Sequence, residues 1–305
     1  MTDADVAPLW DSIVYNAGFI VIKPTPQGIQ LYEQIRYQTQ KSAKLADQDS
    51  LNMVVKRMKR RHYNLRLRAL NKRRFLSGYA YFEGSGRLFP RDEDCTTLPY
   101  VFCPIVVHNN WIASKNAKIY RFREHLMWLY DGDDHYYSSE TRNYLTYENP
   151  QEFGKARQMS ALISALAVGH LLNRVVILPM FLCVTPKGRI RNCPLNSLIQ
   201  ISIFETYFKG QFRESSFLRH PKVPEAVKRE IYDGSKALNR NITANVTSRA
   251  VIKLFDKVTA RVLKLGNIFG VEVIFDDKLQ NKTFNEHVQK AIQYSDYRQL
   301  HPIRT

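Results

Sequence analysis

Three short strings in the first third of the chain bring together side chains able to handle hydroxyl groups and negative charge. They are YNAGFIVIKPT (Tyr15 to Thr25), DQDSLN (Asp47 to Asn52), and VVHNNW with SKNAKIYRF behind it (Val106 to Phe122). In the first, Asn16, Ala17 and Gly18 read as a small-residue turn leading into a buried strand over 19–22, where backbone could come close to a ligand. The Asn16 amide both donates and accepts, which suits a vicinal diol. In the second, Asp47 and Gln48 stand at a helix start, and a carboxylate beside an amide can orient hydroxyls and stabilise a developing positive charge. The third ends an apolar strand over 101–107 with His108, Asn109, Asn110 and Trp111, and the following Lys115 and Lys118 could meet a diphosphate. Taken singly, each string also has a plain structural reading. Asn16 and Gly18 make a turn before a strand, Asp47 caps a helix with Gln48 exposed behind it, and His108 is a hydrogen-bonded residue at a strand end.

The elements that must hold these residues follow from periodicity. Thr25 and Pro26 form an N-cap and first-position pair for a helix whose apolar face is expected at Ile29, Tyr32 and Ile35. Asp47 is expected to cap a second helix with a core face of Leu51, Val54, Val55 and Met58, spaced i, i+3, i+4, i+7. Ten Lys or Arg lie between Lys56 and Arg74. Within that run Leu65, Leu67 and Ala69 alternate with Arg66 and Arg68, which predicts a half-exposed strand rather than a disordered basic tail. A Gly/Pro-rich charged loop is expected over 82–94, and Phe122, Leu126, Met127 and Leu129 suggest a further helix. The second half repeats the α/β alternation. A helix carries Met159, Leu162, Ile163, Leu166 and Ala167, and a short strand spans 175–178. A second helix carries Val251, Leu254, Phe255 and Val258, a strand spans 271–275, and Phe284, Val288 and Ile292 mark a last helix. The expected boundary lies at 148/149.

At 305 residues the chain exceeds the roughly 150 residues of an ordinary domain. A formal net charge of +17 attracts acidic partners without choosing among them. The basic run is read as a solvated face, since no nucleic-acid-binding signature accompanies it, and no nucleic acid is expected as a partner. Cys95 with Cys103 and Cys183 with Cys193 are spaced to close short loops by disulfides or to remain as reduced thiols. No C-x-x-C supports zinc. Sequons occur at Asn241, Asn245 and Asn281. No apolar run reaches 18 residues, and the start, Met1 to Asp5, has neither the basic nor the apolar region of a signal peptide.

In order, NAGF(I)V, DQxxLN and VHNNW with downstream lysines resemble the nucleotide-diphospho-sugar transferase domain of GT-A-type glycosyltransferases, over roughly residues 1 to 130. The resemblance implies an α/β fold: the C-terminal part of a GT-A (Rossmann-like) domain, residues 1–148, followed by a second, smaller α/β domain, residues 149–305, accessory or itself glycosyltransferase-like. It implies transfer of a sugar from a nucleotide-diphosphate donor to a glycan or glycoprotein acceptor. The alternative is an inactive or truncated relative that binds a glycan or partner. Asp47 and Gln48 would then be catalytic. Asn16, Ala17, Gly18, Asn109, Asn110, Trp111, Lys115 and Lys118 would contact substrate, and His108 would ligate Mn²⁺. A Golgi or other secretory-lumen location is implied for a chain with an upstream anchor. One departure from the family pattern concerns its DxD motif. Asp3 and Asp5 precede Asn16 too closely to leave room for the usual strand and loop, so they are not taken as metal ligands, and the DxD-bearing portion is expected to be missing. LLNRVVILPMF (Leu171 to Phe181), with Gly154 and Gln158 before it, faintly resembles O-fucosyltransferase-like domains. Arg157 stands where that family has asparagine, and an accessory structural role is expected.

Overall fold

The computed structural model describes residues 3–11, 14–42, 45–61, 63–83, 104–150, 154–184, 188, 190–238 and 245–293. The chain forms two compact units, Met1–Ala113 and Ser114–Thr305. Both mix helices and strands, and the second contains a five-stranded parallel sheet.

In the first unit β1 (Val6–Asp11) pairs antiparallel with β2 (Val14–Ile22), and α1 (Pro26–Lys41) and α2 (Asp47–Arg60) come next. β3 (Phe75–Ser77) then pairs in parallel with β4 (Val106–His108). Thr25 caps α1 as expected, its side chain accepting from the Gly28 N–H at 3.1 Å. The core face of this helix differs from expectation. Leu31 is fully buried and Ile35 packs beside it, whereas Ile29 and Tyr32 are exposed. Two spacings of three point to the wrong stripe. The helix instead turns toward the sheet the side bearing Gly28, which has no room for a side chain: a β-carbon there would lie 2.2 Å from the Lys23 carbonyl oxygen. On α2, Leu51, Val54, Val55 and Met58 are all buried against Val6 and Leu31, as the spacing predicts. The strand expected in the basic run does not form: residues 63–70 make a single bridge, Leu67 to Val6, and Ala69 is exposed. The segment 66–70 lies along β1 through hydrogen bonds from Asp5 N to Arg66 O, Arg68 N to Val6 O and Leu70 N to Pro8 O. Lys56, Lys59, Arg60, Arg61, Arg66, Arg68, Lys72 and Arg73 face solvent.

The second unit begins with α3 (Lys115–Glu124), β5 (Asn143–Glu148), α4 (Lys155–Leu171) and β6 (Arg174–Ile177). It continues through a hairpin of β7 (Phe181–Val184) and β8 (Ile190–Cys193), then α5 (Ile201–Phe208), β9 (Phe212–Arg213), α6 (Glu225–Arg229) and β10 (Ile231–Asp233). It ends with β11 (Asn245–Thr247), α7 (Ser248–Phe255), β12 (Val262–Asn267), β13 (Glu272–Ile274) and α8 (Lys278–Val288). The parallel sheet has the order β10-β12-β5-β6-β9. β5 sits at its centre, bonded to both β6 and β12, so the segment 114–148 packs with the C-terminal part of the chain, and the second unit is the longer of the two. Buried Met159, Leu162, Leu166 and Ala167 confirm the face of α4. The helix expected through Leu129 stops earlier: α3 ends at Glu124, Leu126 takes a left-handed φ of 56°, and Met127 and Leu129 are exposed. Likewise α7 ends at Phe255 and leaves Leu254 exposed. Cys183 and Cys193 are joined by a disulfide across the β7–β8 hairpin, where they are offset by two positions in register. Cys95, Cys103, Asn241 and most of the expected 82–94 loop lie outside the described residues. Among the described residues no helix is long and apolar enough to cross a membrane.

Candidate functional site

The first unit brings all three strings to one stretch of β2. The register between β1 and β2 slips here: Pro8 faces Ile20 but Leu9 faces Asn16, so Ala17, Gly18 and Phe19 are extra residues on β2. They form a bulge inside a longer strand, where a turn before a shorter one was expected. Bulges of this kind bend a strand and re-aim its side chains. The Asn16 side chain, only 4% exposed, holds the bulge from within, its Oδ1 accepting from the Gly18 N–H at 2.7 Å.

His108, at the end of β4, lies directly over this bulge. A β-carbon on Gly18 would come 2.2 Å from its Cε1 and 2.3 Å from its Nε2, so only glycine permits the approach. The strand positions the ring through the β3 pairing, in which Ser77 stands opposite His108. The loop after it is fixed by Asn110, whose Oδ1 accepts from the Gly78 N–H and whose own N–H donates to the His108 carbonyl. Asn109 is buried beside it. Trp111 is 44% exposed and takes a φ of 59°, a left-handed conformation that costs a non-glycine residue about 1–3 kcal/mol. Its ring centroid lies 6.0 Å from that of Tyr79.

The DQDSLN string reaches the same stretch through its last residue, to which residue type and spacing assign no role. Asn52 clamps the backbone of β2: Oδ1 accepts from Tyr15 N at 3.0 Å, and Nδ2 donates to Tyr15 O at 2.7 Å and to Gln48 O at 2.8 Å. Its place at the end of the string is the signal that could have found it. Asp47 and Gln48 sit one turn earlier. Ala46, not Asp47, is the N-cap of α2, and it makes no side-chain cap hydrogen bond. Asp47 is the first helical residue, exposed, with its carboxylate accepting from the Gln48 N–H at 2.7 Å. Gln48 is half-buried, and its side-chain amide has no hydrogen bond among the described residues. Both acidic residues of this first turn, Asp47 and Asp49, favour the positive end of the helix dipole. Lys115 and Lys118 lie exposed on α3, in the second unit.

Asp5 is committed elsewhere. Its carboxylate, 1% exposed, accepts from the Arg66 guanidinium at 3.0 Å and from the Arg66 N–H at 2.9 Å. These Arg66 hydrogen bonds hold its pKa down to about 2. Among the described residues no three His, Cys, Asp or Glu side chains group as a metal site. Asp5, paired with Arg66, is not placed to join such a group.

In the second unit Gln158 and Arg157, on α4, serve the fold. The buried Gln158 amide donates to Leu182 O and accepts from Leu182 N, reading the β7 backbone from both ends. The Arg157 guanidinium lies 5.4 Å from the Phe269 ring centroid.

Residues 2–122 match the family model described as nucleotide-diphospho-sugar transferase. That match begins early enough to take in Asp3 and Asp5, and it ends within α3. The chain is similar to Arabinosyltransferase XEG113 of Arabidopsis thaliana, with 24% identity over an alignment covering 94% of this chain and 53% of that protein. It thus spans about half the length of the curated relative it matches. No solved structure matches it. The three motif strings that meet at β2 lie within the segment 2–122, which is similar to the nucleotide-diphospho-sugar transferase family model.

Proposed function

We propose that this chain is a glycosyltransferase that moves a sugar from a nucleotide-diphosphate donor to a glycan or glycoprotein acceptor. The likeness to an arabinosyltransferase makes an arabinosyl nucleotide the first donor to test. One observation carries the reading. His108 of the third string seats on Gly18 of the first, and Asn52 of the second is hydrogen-bonded to Tyr15, three residues away, so residues far apart in sequence share one bulged strand.

In this reading Gln48 supplies a side-chain amide that makes no hydrogen bond among the described residues and orients sugar hydroxyls. Asp47, exposed at the helix start, places a carboxylate where positive charge builds at the anomeric carbon. Ala17 and Gly18 leave the backbone open to the donor sugar, with Asn16 fixing its shape. Asn109, Asn110 and Trp111 shape the wall next to His108. Mn²⁺ belongs to the proposal only through the family resemblance, with His108 as the ligand this chain would contribute.

The test is transfer from a panel of UDP- and GDP-sugars, with and without Mn²⁺, by the full chain and by Gln48→Ala and His108→Ala. Loss of transfer in both variants with unchanged circular dichroism is expected. Unchanged activity in both would remove the site assignment. A second reading, a non-catalytic relative that binds glycan or a partner, draws on the ion pair that occupies Asp5. Calorimetry separates the two: a nucleotide sugar bound without turnover favours the binder.

A further inference from the structure

We infer that Asn245 is an N-glycosylation site of the folded protein, whereas Asn281, in a sequon of the same form, is not. The chemistry is transfer of an oligosaccharide from a polyprenyl diphosphate. A bond forms between Asn245 Nδ2 and the anomeric carbon, the bond to the lipid diphosphate breaks, and the amide gives up one proton.

The two sequons are held in opposite ways. Asn245, Val246 and Thr247 are the whole of β11, an extended strand paired with β13. Strand alternation puts Asn245 and Thr247 on one outer face, both exposed, and turns Val246 inward, where it is 9% exposed. The Asn245 side chain makes no hydrogen bond among the described residues. Asn245 stands opposite Glu272, itself exposed, so a glycan here would leave the strand on its solvent-facing side. Asn281 and Thr283 lie on α8 instead, where residues two apart point about 200° from each other around the helix axis. Asn281 is also half-buried, and its Oδ1 accepts from the Phe275 N–H. An independent feature points to the compartment in which this modification occurs: the Cys183–Cys193 disulfide is of the kind that persists in oxidising lumens.

The experiment directs the full chain into the secretory lumen of a eukaryotic cell. The purified protein is treated with peptide N-glycosidase in heavy-oxygen water, and tryptic peptides are read by mass spectrometry. The expected result is heavy-labelled aspartate at position 245 and none at 281. The gel shift on deglycosylation should shrink by one glycan in Asn245→Gln and keep its full size in Asn281→Gln. Thr247→Ser, which keeps a hydroxyl for the sequon and for capping α7, where the Thr247 side chain accepts from the Ala250 N–H, should retain the shift. Label at 281 with none at 245 would overturn the inference. So would an unlabelled chain whose Cys183–Cys193 disulfide has formed.

Discussion

The His108 imidazole rests on Gly18 so closely that a single added carbon would fall 2.2 Å from the ring, although ninety residues of chain separate the two. This contact makes the bulge in β2 and the end of β4 one structural feature. It also gives a direct test of their coupling. Gly18→Ala should displace the ring and lower transfer by about 100-fold, the scale expected for a misplacement near 1 Å. In the double variant with His108→Ala the added methyl no longer meets the ring, so the two losses in melting temperature should be less than additive. Additive losses in this double-mutant cycle would mean that the two residues do not touch.

Asn52 should be worth more than its half-buried surface position suggests. Asn52→Leu leaves both the N–H and the carbonyl of Tyr15 without their side-chain partner. It should cost about 1–3 kcal/mol in urea unfolding. Asn52→Asp keeps the acceptor for Tyr15 N and should cost less at neutral pH. Equal losses in both variants would argue against the clamp.

The Asp5–Arg66 pair predicts an acid-side slope. Asp5 has a folded pKa of about 2, below the usual carboxylate range, so its contribution is complete above about pH 4, the ordinary value in an unfolded chain. That contribution is lost as the pH falls through the folded value. Denaturation midpoints between pH 5 and 2 should therefore fall less steeply in Asp5→Asn. Because Arg66 is 63% exposed, added salt should weaken the effect.

His220 predicts a slope of the opposite origin. Its ring is buried, stacks on Tyr137 with centroids 3.6 Å apart, and lies within reach of the Trp128 carbonyl through Nε2 while Nδ1 accepts from Lys222 N. Burial pushes its pKa below the usual histidine value, so the folded state holds it neutral. The unfolded chain binds the proton first as pH falls past about 6.5, and stability should decline from there downward. His220→Phe, which keeps the stack, should flatten that decline. An unchanged pH profile would sink the assignment.

The hairpin disulfide closes a loop with a sequence separation of 10. Replacing both cysteines with serine should cost about 2–3 kcal/mol by the chain-entropy argument. A calorimetric scan of that variant, compared with the oxidised and reduced wild type, measures the loss.

Local periodicity carried much of the fold. The four apolar residues of α2 and the face of α4 each depend on neighbours within two turns, and they stand where their spacing put them, whereas the strand expected through Leu65, Leu67 and Ala69 is reduced to one bridge between Leu67 and Val6. The α/β character and the three strings were equally legible. The face of α1 was not: Leu31 and Ile35 pack inward beside the close approach of Gly28 to the Lys23 carbonyl, while Ile29 and Tyr32 stay exposed. β5 and β12 have ordinary, mixed compositions and become central strands only because each finds partners far along the chain. That long-range pairing assigns 114–148 to the second unit. The same reason separates naming the site residues from arranging them. Residue type alone marked Asn16, Gln48 and His108 as able to do chemistry. Pairing register and close packing, which no local window contains, decided that His108 lies on Gly18, that Asn52 and not Asp47 ties α2 to β2, and that Asp5 answers to Arg66.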